Sequence, residues 1–81
     1  MVDKTHISLA ELHVNDHAKI LSFSGGHSMV NRLAALGFTP GTDVDMAQNY
    51  GHGPLIVLVR GTRVALGRGE ASKILVERSQ K

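Results

Sequence analysis

Apolar residues recur along this chain in short runs, and turn-forming residues separate the runs. The alternation of apolar and polar positions predicts strands over residues 17–24, from residue 43 onward, over residues 54–60 and over residues 74–76. The run over residues 54–60 is the most β-prone of these, because it is dominated by branched aliphatic side chains. In the strand that starts at residue 43, aspartates alternate with apolar residues, so we expect one wet face.

The N-terminal part carries the signature of one capped helical turn. Ser8 and Glu11 have the spacing of a capping box, and Ile7 and Leu12 have the spacing of a hydrophobic staple. Together they predict a single-turn helix over residues 8–12.

A second, longer helix is predicted over residues 29–36, with Ser28 as its N-cap. Met29, Leu33 and Leu36 fall on one stripe at helical spacing. An amphipathic helix of this kind usually buries its stripe, so we expect the three side chains to pack on the core.

Glycine and proline predict the turns that follow this helix. Gly37 is expected to end the helix in the left-handed conformation that residues with a β-carbon resist. Pro40 and Gly41 occupy the two central positions of a predicted type II turn, where a fixed φ and a positive φ are needed. A strand should begin directly after this turn.

A two-residue hairpin loop is predicted at Gly61 and Thr62, with glycine at the first central position of a type II′ turn. This register places Arg60 opposite Arg63. Facing like charges weaken a hairpin by about 0.2–1 kcal/mol, so the pair is interpreted either as two solvated side chains or as a site for carboxylates. Residues 67–72 are expected to form a short irregular or 3₁₀ segment before the last strand.

The composition limits the chain to one small core. Eighty-one residues with 42% hydrophobic and 20% charged residues are typical of a single globular domain, expected over residues 1–81 with its core at about 7–78. Five short strands with one short inserted helix predict an all-β fold, a small five-stranded, SH3-like, partly open barrel. The exposed strand edges of an open barrel leave self-association open.

Composition also excludes several classes of function. There is no cysteine, which excludes thiolate sites and disulfides. The N-terminal residues lack a secretory signal, and no run reaches the roughly 20 apolar residues that span a bilayer, so we expect any membrane role to be indirect. No phosphate-binding loop or nucleophile–base pair is found, so we expect no enzymatic activity and no cofactor.

The order and spacing of several segments resemble those of the FeoA family over about residues 7–77. The segments are Leu9-x-x-Leu12, Ala18-x-Ile20, Gly25-Gly26, RLAALGFTPG at 32–41, GPL at 53–55 and VRGTRVALGR at 59–68. Each segment alone consists of leucines, glycines or a Pro-Gly turn that are common in proteins. In this order and at these spacings, the set is specific to the family. The chain departs from the family pattern at residues 49–52, where the loop is polar, and at Gly69.

The resemblance implies an SH3-like accessory protein that binds the cytosolic region of FeoB, the membrane transporter of ferrous iron, and modulates uptake of Fe²⁺. It implies a cytoplasmic protein held at the inner membrane through this partner, without membrane insertion of its own. Nucleic-acid binding is not expected, because the formal charge is only +2 and aromatic residues are few.

Positive charge marks the candidate partner-binding residues. Between Met46 and Gly69 the only charged residues are Arg60, Arg63 and Arg68. Met29 and Arg32, at the margins of the predicted helix, are further candidates.

Two alternative functions stay open from the sequence. The same three arginines would also suit an RNA- or ribosome-associated module, whose affinity would fall steeply with salt. His13, Asp16 and His17 are the candidates for a metal-binding chaperone, since imidazole and carboxylate can bind Fe²⁺. They straddle a predicted turn, however, which favours solvated histidines over a metal site.

Overall fold

A computed structural model describes residues 6–79 of the chain. Its strands are β1 (His6–Ser8), β2 (His17–Phe23), β3 (Asp43–Gln48), β4 (Leu55–Val59), β5 (Thr62–Leu66) and β6 (Ile74–Arg78). Every pairing is antiparallel, in the order β1-β6-β2-β3-β4-β5, and the sheet does not close on itself. A 3₁₀ turn (Leu9–Glu11) and two helices, α1 (His27–Ala35) and α2 (Arg68–Ala71), lie between the strands. The predicted mostly-β, partly open architecture is confirmed.

The predicted number of strands is wrong by one. The structure adds β1, which pairs with β6 through Ile7 and Val76. A segment of three residues is too short to show an alternation, and the capping signature at Ser8 pointed to a helix there. Both structures occur in succession, because β1 ends at Ser8 and the 3₁₀ turn begins at Leu9.

The core is formed by one face of the sheet and the elements that cover it. Alternation is visible in β4, where Leu55, Val57 and Val59 are buried and the residues between them are half-buried. All fifteen buried residues in the described part of the chain are apolar: Leu9, Leu12, Ala18, Ile20, Leu33, Phe38, Val44, Met46, Leu55, Val57, Val59, Leu66, Ala71, Ile74 and Val76. The wet face predicted for β3 is present, with Asp43 exposed and Asp45 half-buried.

The predicted start of α1 is wrong. Helix α1 begins at His27 with Gly26 as its N-cap, and the Val30 N–H donates to the Gly26 carbonyl at 3.0 Å. Ser28 therefore lies inside the first turn and does not cap it. Glycine is itself a tolerated N-cap, which allows the helix to begin two residues early.

The apolar stripe of α1 is only partly buried. Leu33 is fully buried and Met29 packs against the core, but Leu36 is 45% exposed, which contradicts the predicted burial of all three. Leu36 is the C-cap of the helix. Gly37 follows with φ +104°, and the Phe38 N–H bonds back to the Leu33 carbonyl at 2.9 Å, so the chain leaves the helical path at this point.

The turn predicted at Pro40 and Gly41 is confirmed. Gly41 has φ +90°, and the Thr42 N–H donates to the Thr39 carbonyl at 3.0 Å, which closes the turn. The strand β3 begins at the next residue, as the pattern predicted.

The β4–β5 hairpin has a different turn and register from those predicted. Its loop residues are Arg60 with φ 52° and Gly61 with φ 79°, and two positive values define a type I′ turn. Val59 pairs with Thr62, and Arg63 lies opposite Leu58. Arg60 is therefore not opposite Arg63. Gly61 takes the second central position of the turn. The first central position also has a positive φ, and it is occupied by Arg60, which has a β-carbon.

The segment after β5 is more regular than predicted. Residues Arg68–Ala71 form one α-helical turn, because the Ala71 N–H bonds to the Gly67 carbonyl and the Ser72 N–H bonds to the Arg68 carbonyl, both at 3.0 Å. Between residues 6 and 79, neither helix is long and apolar enough to cross a membrane.

Candidate functional site

An open groove lies between the end of α1 and the β4–β5 hairpin. We call it the helix–hairpin groove, and its lining residues are Ala34, Ala35, Leu36, Gly37, Thr39, Val59, Arg60, Thr62 and Val64. Apolar side chains from both elements contribute to its lining. The exposed Leu36 lies on the helix side, and Arg60 lies on the hairpin side. The groove therefore combines an exposed apolar surface with one cation.

Gly37 allows the two walls of the groove to approach each other. A β-carbon at this position would lie 3.2 Å from Cδ of Arg60 and 3.5 Å from Cγ2 of Val59. The φ of +104° also disfavours any other residue. Gly37, predicted only as a helix terminator, thus also brings the end of α1 against the hairpin.

Arg60 and Arg63 differ in their surroundings although both belong to the hairpin end. Arg60 sits in the turn and lines the groove. Arg63 is exposed on β5 and alternates with Thr62 and Val64, so it lies on the opposite face of the sheet. Within residues 6–79 neither guanidinium has an ion-pair partner. Their positive charge is therefore free to meet an external carboxylate.

Arg68 has internal hydrogen-bond partners. Its Nη2 donates to Oδ1 of Asn49 at 2.8 Å, and its Nη1 lies 3.5 Å from the Ala10 carbonyl. Asn49 in turn donates to the carbonyls of Ala10, at 3.2 Å, and Leu12, at 2.7 Å. We call these contacts the Asn49–Arg68 network. They engage both Nη atoms of Arg68, while its buried Nε has no hydrogen-bond partner among the described residues. Because the Nη atoms point to internal acceptors, partner binding by Arg68 stays a prediction without support from its position.

The two candidates on α1 also have neighbours within the fold. Arg32 forms an ion pair with Glu70, which joins α1 to α2. Met29 is half-buried and covers Gly25, where a β-carbon would lie 2.3 Å from Cε of Met29. Neither residue lines the helix–hairpin groove. Their predicted role in partner binding is not tested by these contacts.

The three metal candidates of the sequence do not converge on one point. His13 is largely exposed, with Nδ1 3.7 Å from Oδ2 of Asp16, whereas His17 turns toward β3. There its Nδ1 lies 2.7 Å from Oδ1 of Asp45, and its Nε2 lies 3.4 Å from Oδ1 of Asp43. In the described range, no group of three or more histidines and carboxylates has a geometry that could hold a metal ion.

Comparison with known proteins identifies the family. The model of the FeoA domain matches residues 7–78. This chain belongs to the FeoA family. It is 33% identical over 58 residues to a Methanocaldococcus jannaschii protein whose provisional name is Fe(2+) transport protein A, covering 72% of this chain and 70% of the relative.

Two solved FeoA structures share the fold. A crystal structure of the iron uptake regulatory protein FeoA is 30% identical, with a TM-score of 0.87 over 91% of this chain and 99% of that one. FeoA of Stenotrophomonas maltophilia, solved with zinc, is 32% identical, with a TM-score of 0.79 over 91% of this chain and 96% of that one. The latter is described as a prokaryotic SH3 domain protein for which a role as a ferrous iron transport activating factor is suggested. The predicted SH3-like character is therefore confirmed.

Near the candidate sites, the sequence did not predict the exposure of Leu36 or the contacts of His17. The exposure of Leu36 was missed, although its place just before the terminating Gly37 was a usable signal. The contacts of His17 with Asp43 and Asp45 were also missed. Their signal was the spacing of the two aspartates on one strand face, which becomes informative only once β2 is known to pair with β3.

Proposed function

We propose that this FeoA-family protein is a non-catalytic accessory module that binds the cytosolic region of a FeoB-type transporter and modulates uptake of Fe²⁺. It would act in the cytoplasm, at the inner membrane through this partner. The observation that carries the proposal is the helix–hairpin groove, an exposed apolar surface bordered by an unpaired arginine, in a member of this family.

The groove has the physical character of a protein-binding surface. Exposed apolar side chains lose water on binding, and each square ångström of buried apolar area contributes about 25 cal/mol before the entropic cost of association is subtracted. Leu36 offers such a side chain in the lining of the groove. Arginine is among the residues that most often dominate binding energy, and its fork can meet a carboxylate with two hydrogen bonds. An apolar side chain beside a cation fits a partner surface that carries an apolar side chain beside an acidic one.

The alternative functions have weaker support. A binder of single-stranded RNA needs aromatic rings on which bases can stack. Of the three aromatic residues in the chain, Phe38 is buried, Phe23 is half-buried, and only Tyr50 is largely exposed. For metal delivery, His17 is already engaged by Asp43 and Asp45, whereas His13 lies against a different carboxylate, Asp16.

The test compares two leucines that are similarly exposed on different surfaces. Leu36 is 45% exposed in the groove, and Leu75 is 39% exposed on β6. We expect Leu36→Gln to weaken binding to the purified cytosolic region of the transporter about tenfold or more, which corresponds to about 1.4 kcal/mol. Leu75→Gln is the matched control and should bind like the parent protein. Calorimetric titration measures both affinities.

Equal affinity of the Leu36→Gln and parent proteins would remove the groove from the interface. A parent protein that does not bind the cytosolic region at all would overturn the proposed function itself.

A further inference from the structure

The strand β5 forms an open edge of the sheet. It is the last strand in the order β1-β6-β2-β3-β4-β5, and it pairs with β4 along its five residues without a register shift. The other edge strand, β1, has three residues, and its Ser8 N–H already donates to the Glu11 carboxylate at 3.2 Å. Of the two edges, β5 is therefore the longer and the more regular.

The hairpin register determines which backbone groups of β5 are free. In a two-residue hairpin, the pair that flanks the loop exchanges both hydrogen bonds, and the next pair does not. Val59 and Thr62 flank the loop here, so Thr62, Val64 and Leu66 bond to β4. The N–H and C=O groups of the residues between them, Arg63 and Ala65, point away from β4.

These outward groups have no backbone partner in the part of the chain that the structure describes. Arg63 and Ala65 take part in no backbone hydrogen bond outside their strand pairing, and both residues are exposed. Unpaired groups on a regular edge can serve as a template for an added strand.

We propose that β5 is a docking edge, to which an extended acidic segment of the partner protein adds as a further strand. This inference rests on the proposed function and names the way in which the partner is held. The backbone groups of Arg63 and Ala65 would bond to the segment. The guanidinium of Arg63, which has no ion pair within residues 6–79, would meet a carboxylate on the same face.

Charge favours an acidic partner over a second copy of this chain. When two β5 edges pair antiparallel about Arg63 or Val64, the two Arg63 side chains lie directly or diagonally opposite each other. Like charges at such positions repel. Arg60 at the adjoining turn adds positive charge to the same end of the hairpin. An acidic segment removes this repulsion.

The alternation of β5 also predicts the pattern of the bound segment. Thr62 and Val64 line the helix–hairpin groove, whereas Arg63 and Ala65 lie on the other face. Side chains of an added strand alternate in the same way. The segment should therefore alternate apolar residues, which face the groove, with acidic residues, which face Arg63.

Amide hydrogen exchange measured by nuclear magnetic resonance tests this arrangement residue by residue. In the free protein, we expect the Arg63 and Ala65 amides to exchange quickly and the Val64 amide to exchange slowly, because only Val64 bonds to β4. With the transporter's cytosolic region bound, exchange at Arg63 and Ala65 should slow at least tenfold. Binding that leaves these two amides unprotected would overturn the docking edge but not the proposed function. Absence of binding would overturn both.

A substitution at Ala65 provides an independent test. Ala65→Pro removes an N–H that the ladder with β4 does not use, and proline is tolerated on edge strands at such positions. We expect this variant to lose at least tenfold in affinity for the cytosolic region while keeping the parent melting temperature. Ala65→Thr keeps the N–H and should bind normally. A folded Ala65→Pro variant with parental affinity would contradict the inference, and if this variant fails to fold, the exchange measurement on the parent protein decides.

Discussion

At the scale of single residues, the hairpin turn places an arginine where the backbone disfavours it. Arg60 has φ 52°, in the left-handed region that residues with a β-carbon seldom adopt. Asparagine and glycine are the usual residues of a type I′ turn. The turn therefore gives up some stability, and the residue responsible holds a guanidinium beside the groove.

Arg60→Asn should separate stability from binding. Asparagine suits the left-handed conformation better, so we expect the free energy of unfolding to rise by about 0.5–1 kcal/mol. The same change removes the charge at the groove, so affinity for the transporter's cytosolic region should fall. Thermal unfolding and calorimetric titration measure the two effects. Lys73→Gln, which removes a charge from an exposed position away from the groove, is the control and should leave affinity unchanged. A variant that is more stable and binds as well as the parent would show that Arg60 plays no part in recognition.

At the scale of secondary-structure elements, the Asn49–Arg68 network joins three segments that the sheet alone does not hold together. Asn49 starts the loop after β3, its amide reaches the carbonyls of the 3₁₀ turn at Ala10 and Leu12, and its oxygen accepts from Arg68 in α2. Leu9, Leu12 and Ala71 of these short elements are buried in the core. Hydrogen bonds to the Asn49 amide add to this packing and link the three segments.

Asn49→Ala should destabilise the protein without affecting the groove. The change removes four hydrogen bonds and leaves the partly buried Arg68 guanidinium without its main acceptor, which typically costs about 1–3 kcal/mol. Tyr50→Ala is the control, because Tyr50 is 70% exposed in the same loop, and its effect should stay within about 0.5 kcal/mol. Urea unfolding gives both values. If the two variants unfold at the same urea concentration, the network contributes nothing to stability.

The elements also show what a sequence can and cannot predict. The strand over residues 54–60 and the turn at Gly41 could be predicted, because a continuous aliphatic run and a required positive φ are local signals. The hairpin register could not, because Gly61 fits either the first position of a type II′ turn or the second position of a type I′ turn. Strand β1 could not be predicted either, because it depends on pairing with the distant β6, whereas the exposure of Leu36 had a local signal in the adjoining Gly37.

At the scale of the whole molecule, an apolar core and an open sheet define what the protein can present to a partner. Every buried side chain in residues 6–79 is apolar, so the polar groups available for recognition lie at the surface. Positive charge without a partner is found at the β4–β5 end. The aspartates Asp43 and Asp45 lie near His17 at the β2–β3 pair. Asp43 starts β3 beside the β4 end of this hairpin, since Val44 pairs with Val59, so the excess of positive charge is local to Arg60 and Arg63.

Uptake of ferrous iron in living cells tests the central claim most directly. In a strain that lacks this protein but retains the transporter, the initial rate of Fe²⁺ uptake is measured with the parent protein, Leu36→Gln or Leu75→Gln supplied at equal levels. If the groove carries the function, the parent and Leu75→Gln should change the rate by the same amount, and Leu36→Gln should leave it at the value of the deletion strain. A Leu36→Gln protein that changes uptake as fully as the parent would contradict the account.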